Sequence, residues 1–232
     1  MIRSWTLIDF VLVMLGGVLG ASVFAAIGIA VDSDDMFIVL ALAGQYVGHL
    51  FVLWLVGRSK PPDSLGFEVR GRDAAYIFAG LGLQLGLSIL FLPLVLVLFP
   101  EGGTTQEIGD VIAGLESDGA RLMSLLVSVL LAPVTEELAF RGVLIKALGE
   151  RSRRTLIVVS AAVFPLFHVL GLASETLLAA AAVVLPQLFI VGAVLAWITL
   201  RSGRLGPAIF VHSGWNLLAA LILLLPPELL NA

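Results

Sequence analysis

The chain has 232 residues, of which 59% are hydrophobic and 13% charged, with a net charge of −4. Soluble domains run nearer ~45–50% apolar and ~25% charged, so these fractions exclude an ordinary soluble protein and point to one integral membrane domain. There is no cysteine, which excludes disulfides, thiolate nucleophiles and cysteine metal sites. There is no basic cluster beyond short loops, so no nucleic-acid partner is expected.

A hydrocarbon core of ~30 Å needs ~20 helical residues per crossing. Apolar runs of that length fall at about 5–31, 36–57, 74–99, 120–148, 154–172, 175–200 and 205–225. They predict an all-α, polytopic membrane helical bundle of seven spans. The first run is too long for a signal-peptide core and reads as a retained span. The sixth carries Pro186 near its middle and would give an eighth helix if it divides there. Gly16/Gly20, Gly44/Gly48 and Gly82/Gly86 have the spacing that lets helix backbones approach closely. Trp5, Trp54 and Trp197 lie near span ends and read as interface anchors.

The connections carry a charge pattern. Arg3 precedes the first span; Arg58, Lys60, Arg70 and Arg72 lie in the second connection. Arg151, Arg153 and Arg154 lie in the fourth, and Arg201 and Arg204 in the sixth. The odd connections are acidic, with Asp32, Asp34 and Asp35 in the first and Glu175 in the fifth; Glu228 is in the tail. The positive-inside rule then predicts a cytoplasmic N-terminus. The third connection, about 100–119, is Gly-rich and acidic from Glu101 onward, with a short helix expected from Thr105 to Leu115.

Few strongly polar groups lie deep in the spans. Glu136, Glu137 and Arg141 are on the fourth, His168 on the fifth, and His212 and Asn216 on the seventh; His49, Gln45, Gln84 and Gln187 are scattered singly. A charge at the centre of a membrane helix costs at least ~3 kcal/mol on insertion scales, so such residues usually face a bundle interior. Glu137 and Arg141 are four apart with the acid first, the favourable order for an ion pair. Glu136 is rotated ~100° away and points elsewhere. At ~1.5 Å per residue from the cytoplasmic span ends, Glu136 lies ~18 Å up, His168 ~21 Å, Asn216 ~17 Å and His212 ~11 Å. Three spans thus place their polar groups at similar depth, as one buried site requires. Pro133 and Pro165 each break a helix beside these residues, and Pro133 would free the Val129 carbonyl.

A carboxylate and an imidazole can activate water, or hold a metal that does so, while a second imidazole and an amide can stabilise an oxyanion. No serine elbow, GxGD or HExxH pattern is present. The ordered motifs Glu136-Glu137-x-x-x-Arg141, Phe164-x-x-x-His168 and His212-x-x-x-Asn216 resemble those of the CPBP family, the CAAX proteases and bacteriocin-processing enzymes also called Abi proteins. The string from Glu136 to Gly142 fits as well. The resemblance covers about residues 120–220 and divides the single membrane domain into N-terminal helices without motifs, 1–119, and a catalytic core, 120–225.

The resemblance implies an intramembrane endopeptidase. Glu136 and His168 would activate water, and His212 and Asn216 would form the oxyanion hole. Glu137 would support the site or take part directly, with Arg141 and Phe164 as further support. The family is often called a metalloprotease; if a divalent metal such as zinc binds, Glu136, His168 and His212 are the available ligands. The substrate would be a prenylated CAAX protein, a leader peptide, a bacteriocin or a membrane-protein tail. The expected location is a prokaryotic plasma membrane. Two alternatives remain: a non-catalytic scaffold or bacteriocin-immunity protein of the same fold, and a proton-coupled transporter using the glutamates as a relay.

Overall fold

A computed structural model describes residues 4–61, 64–100, 107–172 and 176–224. Arg3, Asp63, Glu101, Thr105, Glu175 and Glu228 lie outside the described residues. Among the described residues there are eight helices: α1 (Leu7–Ala30), α2 (Asp34–Gly57), α3 (Tyr76–Leu98), α4 (Glu107–Ala113), α5 (Asp118–Leu148), α6 (Arg153–Leu166), α7 (Leu177–Ser202) and α8 (Gly206–Leu223). Six of them are long and apolar enough to cross a membrane; α4 and α6 are not.

The expected fifth span is therefore shorter than its apolar run. Pro165 stands in the last turn of α6, and the chain then tightens into a 3₁₀ turn, Val169–Gly171. Fourteen helical residues reach about 21 Å, short of the hydrocarbon core. Pro186, by contrast, does not divide α7, which runs unbroken for 26 residues. A long helix flanked by neighbours can absorb one missing donor.

Helices start where local chemistry satisfies their free N–H groups. Thr6 and Asp9 form a reciprocal capping box on α1. Ser33, Ser117 and Ser152 cap α2, α5 and α6 through their hydroxyls. Asp35 accepts from the backbone of Glu116 and Ser117 at 3.1 and 2.8 Å, tying the α2 start to the acidic connection.

The α1–α2 pair is close because two of the glycine pairs interlock. A Cβ on Gly20 would strike the Gly44 carbonyl, and one on Gly48 would strike the Gly16 carbonyl. Gly48→Ala should therefore lower thermal stability in detergent by ~1–3 kcal/mol, the usual cost of overpacking. Gly82 and Gly86 differ, since among the described residues a Cβ on either meets nothing within 4 Å. Gly82→Ala should leave the melting temperature unchanged or raise it, because alanine is the better helix former. Equal melting of Gly48→Ala and wild type would contradict this packing. On α3 the close approach falls instead at Gly80, against the α8 backbone.

The tryptophans divide. Trp54 and Trp197 are exposed beneath the guanidinium groups of Arg58 and Arg201, as interface anchors should be. Trp5 is buried and donates to Ser64 at 2.8 Å, so it locks the α1 start to the α2–α3 connection instead. That connection is also pinned to the α7–α8 turn. Gly66 and Glu68 accept from Leu205 and Gly206 at 2.9 and 3.1 Å, and Arg204 grips Asp73 with both terminal nitrogens.

Candidate active site

The polar residues of α5 occupy an unusual helix. Its backbone widens to the π register at Val127–Leu131 and at Leu138–Leu144, on either side of the short α-helical piece Ala132–Glu137 that bears both glutamates. Such π segments often accompany functional sites. Pro133 accounts for part of the first. Ala132 N–H reaches back five residues to Val127, so the position opposite Pro133 is Ser128, one residue earlier than the α register gives. The Ser128 carbonyl is served from another helix: Asn216 Nδ2 donates to it at 2.8 Å. Thr135 Oγ1 donates to the nearby carbonyls of Leu131 and Ala132, both at 3.0 Å.

Glu137 is fully enclosed and takes two partners on one oxygen. Arg141 Nη1 donates to Oε1 at 3.1 Å, and His212 Nδ1 donates to the same atom at 2.9 Å. Arg141 is equally enclosed; its Nη2 donates to the Gly192 carbonyl at 3.1 Å, and its guanidinium lies 4.6 Å from the Phe164 ring centroid. The predicted ion pair is thus present, and it also orients an imidazole from α8.

Glu136 points away from that pair, as its rotation requires. Its Oε2 lies 4.0 Å from His168 Nε2 and 3.8 Å from His212 Nε2, and has no hydrogen-bond partner among the described residues. Its Oε1 accepts from Tyr46 Oη at 3.4 Å. His168 Nδ1 lies 2.9 Å from the Phe164 carbonyl. A carbonyl only accepts, so Nδ1 carries a proton; in the neutral tautomer this leaves the lone pair of Nε2 turned toward Glu136. The 3₁₀ turn makes this bond available, because His168 N–H has moved to the Pro165 carbonyl. Phe164 packs its ring against both imidazoles, with centroids 4.6 Å from His168 and 5.8 Å from His212.

Of the residues singled out in the sequence, Glu136, Glu137, Arg141, Phe164, His168 and His212 converge. Asn216 lies one turn beyond His212 and engages α5 at Ser128, two turns before the glutamates. His49 is buried with its ring against Gly17 and 6.1 Å from the Tyr46 ring, centroid to centroid. Trp215 packs with the apolar residues of α3, α7 and α8 around Leu87 and Val191. Tyr46 and Ser128 were not anticipated. A signal for Tyr46 existed: a tyrosine inside a membrane span needs a partner for its hydroxyl.

A metal fits this arrangement poorly. Among the described residues no three histidines or acids are grouped tightly enough to hold an ion. Zinc bonds of ~2.0–2.1 Å set tetrahedral ligands ~3.3 Å apart, closer than the 3.8 and 4.0 Å separations from Glu136.

Six apolar helices around inward-facing acids and imidazoles define a polytopic membrane protein with a buried polar site. Residues 118–218 match the family model described as Type II CAAX prenyl endopeptidase Rce1-like, which bears out the resemblance to the CPBP family and suggests protease activity. No curated protein and no solved structure gives a match.

Proposed function

We propose that this chain is an intramembrane endopeptidase in which Glu136 and His168 activate water. The observation that supports this most is one carboxylate oxygen facing two imidazole nitrogens at 4.0 and 3.8 Å. Two acceptors ~4 Å apart can share one water at ~2.8 Å from each, at an angle of about 90°. Glu136 takes the proton of that water as its oxygen adds to the peptide carbonyl carbon. The carbonyl oxygen becomes an oxyanion. His212, carrying a proton on Nε2 as well as Nδ1, donates to it, as does the Asn216 N–H not used by Ser128. On collapse the C–N bond breaks, and the leaving nitrogen takes the proton held by Glu136, directly or through His168.

Glu137 does not face the water in this scheme. It fixes the ring of His212 through Nδ1 and is neutralised by Arg141. The family resemblance favours prenylated peptides as substrates, with leader peptides as a second class. A prokaryotic plasma membrane and a cytoplasmic N-terminus remain part of the proposal.

The test is cleavage of a fluorogenic prenylated CAAX peptide and a panel of leader peptides by purified protein, with and without chelator. Wild type should cleave at least one, and His168→Ala should lose at least ~100-fold, the lower range for a proton-transfer group. Chelator should leave the wild-type rate unchanged. Cleavage undiminished in His168→Ala would overturn the site assignment, and loss of activity restored by added zinc would overturn the metal-free scheme.

A further inference from the structure

The family match begins at residue 118, yet a side chain from α2 reaches the reacting carboxylate. Tyr46 is buried, with its ring packed by Val127 and Ala132 of α5 and its hydroxyl 3.4 Å from Glu136 Oε1. We propose that Tyr46 is a positioning residue for Glu136: its hydroxyl occupies Oε1 and so turns Oε2 toward His168 and His212. The inference rests on Glu136 acting as the base.

The carboxylate of Glu136 has two oxygens with different surroundings. One has Tyr46 as its hydrogen-bond partner, while the other has none among the described residues and faces both imidazoles. A carboxylate without an anchor rotates about its last bond and exchanges the two oxygens. A phenol on one of them removes that freedom, which is how supporting groups hold a reacting group in its productive pose. The contact is long for a hydroxyl–carboxylate bond, and catalytic hydrogen bonds are commonly slack before substrate arrives and tighten with it. Nothing else among the described residues gives the Tyr46 hydroxyl a partner, and a buried phenol rarely goes without one.

The placement also explains why α2 carries a tyrosine at this point. Its helix is locked to α1 by Gly44 and Gly48. His49, one turn on, is wedged against Gly17. The anchor therefore stands on a closely packed helix pair, and it holds Glu136 from outside the helix that bears it.

The experiment compares wild type, Tyr46→Phe, Val127→Ala and Glu136→Gln as full-length protein in detergent. Two readouts are used. The first is steady-state peptide cleavage. The second is the infrared carboxylate stretch of Glu136, obtained from ¹³C-glutamate-labelled protein as the difference from Glu136→Gln. Tyr46→Phe should lower kcat by ~10-fold with KM changed less than ~2-fold, and should shift the Glu136 band. Val127→Ala loosens the packing of the ring but keeps the hydroxyl, so it should lower the melting temperature and leave the band in place. A Tyr46→Phe band superimposable on wild type overturns the proposal, whatever the kinetics. A band that moves equally in Val127→Ala also overturns it, because packing alone would then set the carboxylate. The infrared readout needs no turnover. Should Glu136→Gln prove fully active, the assignment of Glu136 as the base fails while a shifted band in Tyr46→Phe still establishes the anchor.

Discussion

Glu136→Gln should reduce kcat by about 1,000-fold, within the range for a general base, with KM changed only a few-fold. Each tenfold loss is ~1.4 kcal/mol of barrier, so the effect is ~4 kcal/mol. The substitution keeps the shape of the side chain and the acceptor for Tyr46, but removes the oxygen that takes the proton. It breaks no ion pair within hydrogen-bonding distance among the described residues, since Oε2 of Glu136 has no hydrogen-bond partner there and both imidazoles stand 3.8 Å or more away. Thermal stability should change little, because the loss of a buried charge is offset by the loss of the carboxylate that faces protonated His212. The combination is diagnostic: activity is lost without loss of fold. Cleavage within threefold of wild type would show that Glu136 is not the base and would overturn the assignment of the water-activating residue.

Arg141→Met should give the largest loss of stability. Arg141 and Glu137 both have 0% side-chain exposure, so removing the cation leaves an acid enclosed with only His212 to face it. Breaking a buried pair from one side typically costs ~3–5 kcal/mol. The Gly192 carbonyl loses its donor at the same time. Adding Glu137→Gln should recover at least half of the loss, since replacing both members of a buried pair is far less costly than replacing one. Thermal unfolding in detergent reads both effects. If the single variant melts with wild type, the pair contributes nothing and its only role is to orient His212. The double variant should remain folded yet cleave slowly, because the amide holds His212 less firmly than the carboxylate.

Much of this site was legible in the sequence, because its signals are local or come from counting along helices. Glu137 and Arg141 pair because they are four apart, and Glu136 diverges because it is one residue away. Residues on separate helices could be matched in depth because rise per residue is nearly constant. What escaped was whatever depends on tertiary neighbours. Tyr46 meets Glu136 across 90 positions of chain, and no spacing rule links them. Pro165 in an apolar run read as a kink inside a span, but the 3₁₀ turn after it ends the helix. Gly82 and Gly86 have the same spacing as the glycines of α1 and α2, yet spacing cannot say whether a partner helix lies opposite. Trp5 sits at a span end, as an interface anchor would, and only the position of Ser64 turns it inward.

The two widened stretches of α5 interrupt its helical period. Each i→i+5 segment adds roughly one residue to a turn, and so delays the rotation of the helix by ~100°. Ser124, the Glu136–Glu137 pair and Ile145 consequently belong to three helical phases rather than one. A single wheel drawn over Asp118–Leu148 would assign some buried positions to the outside. The breaks in phase at Val127 and Leu138 bracket the glutamates. The chain thus has three short rotors in sequence where its apolar pattern suggests one, and the middle rotor can aim its two acids without moving the faces that pack on either side.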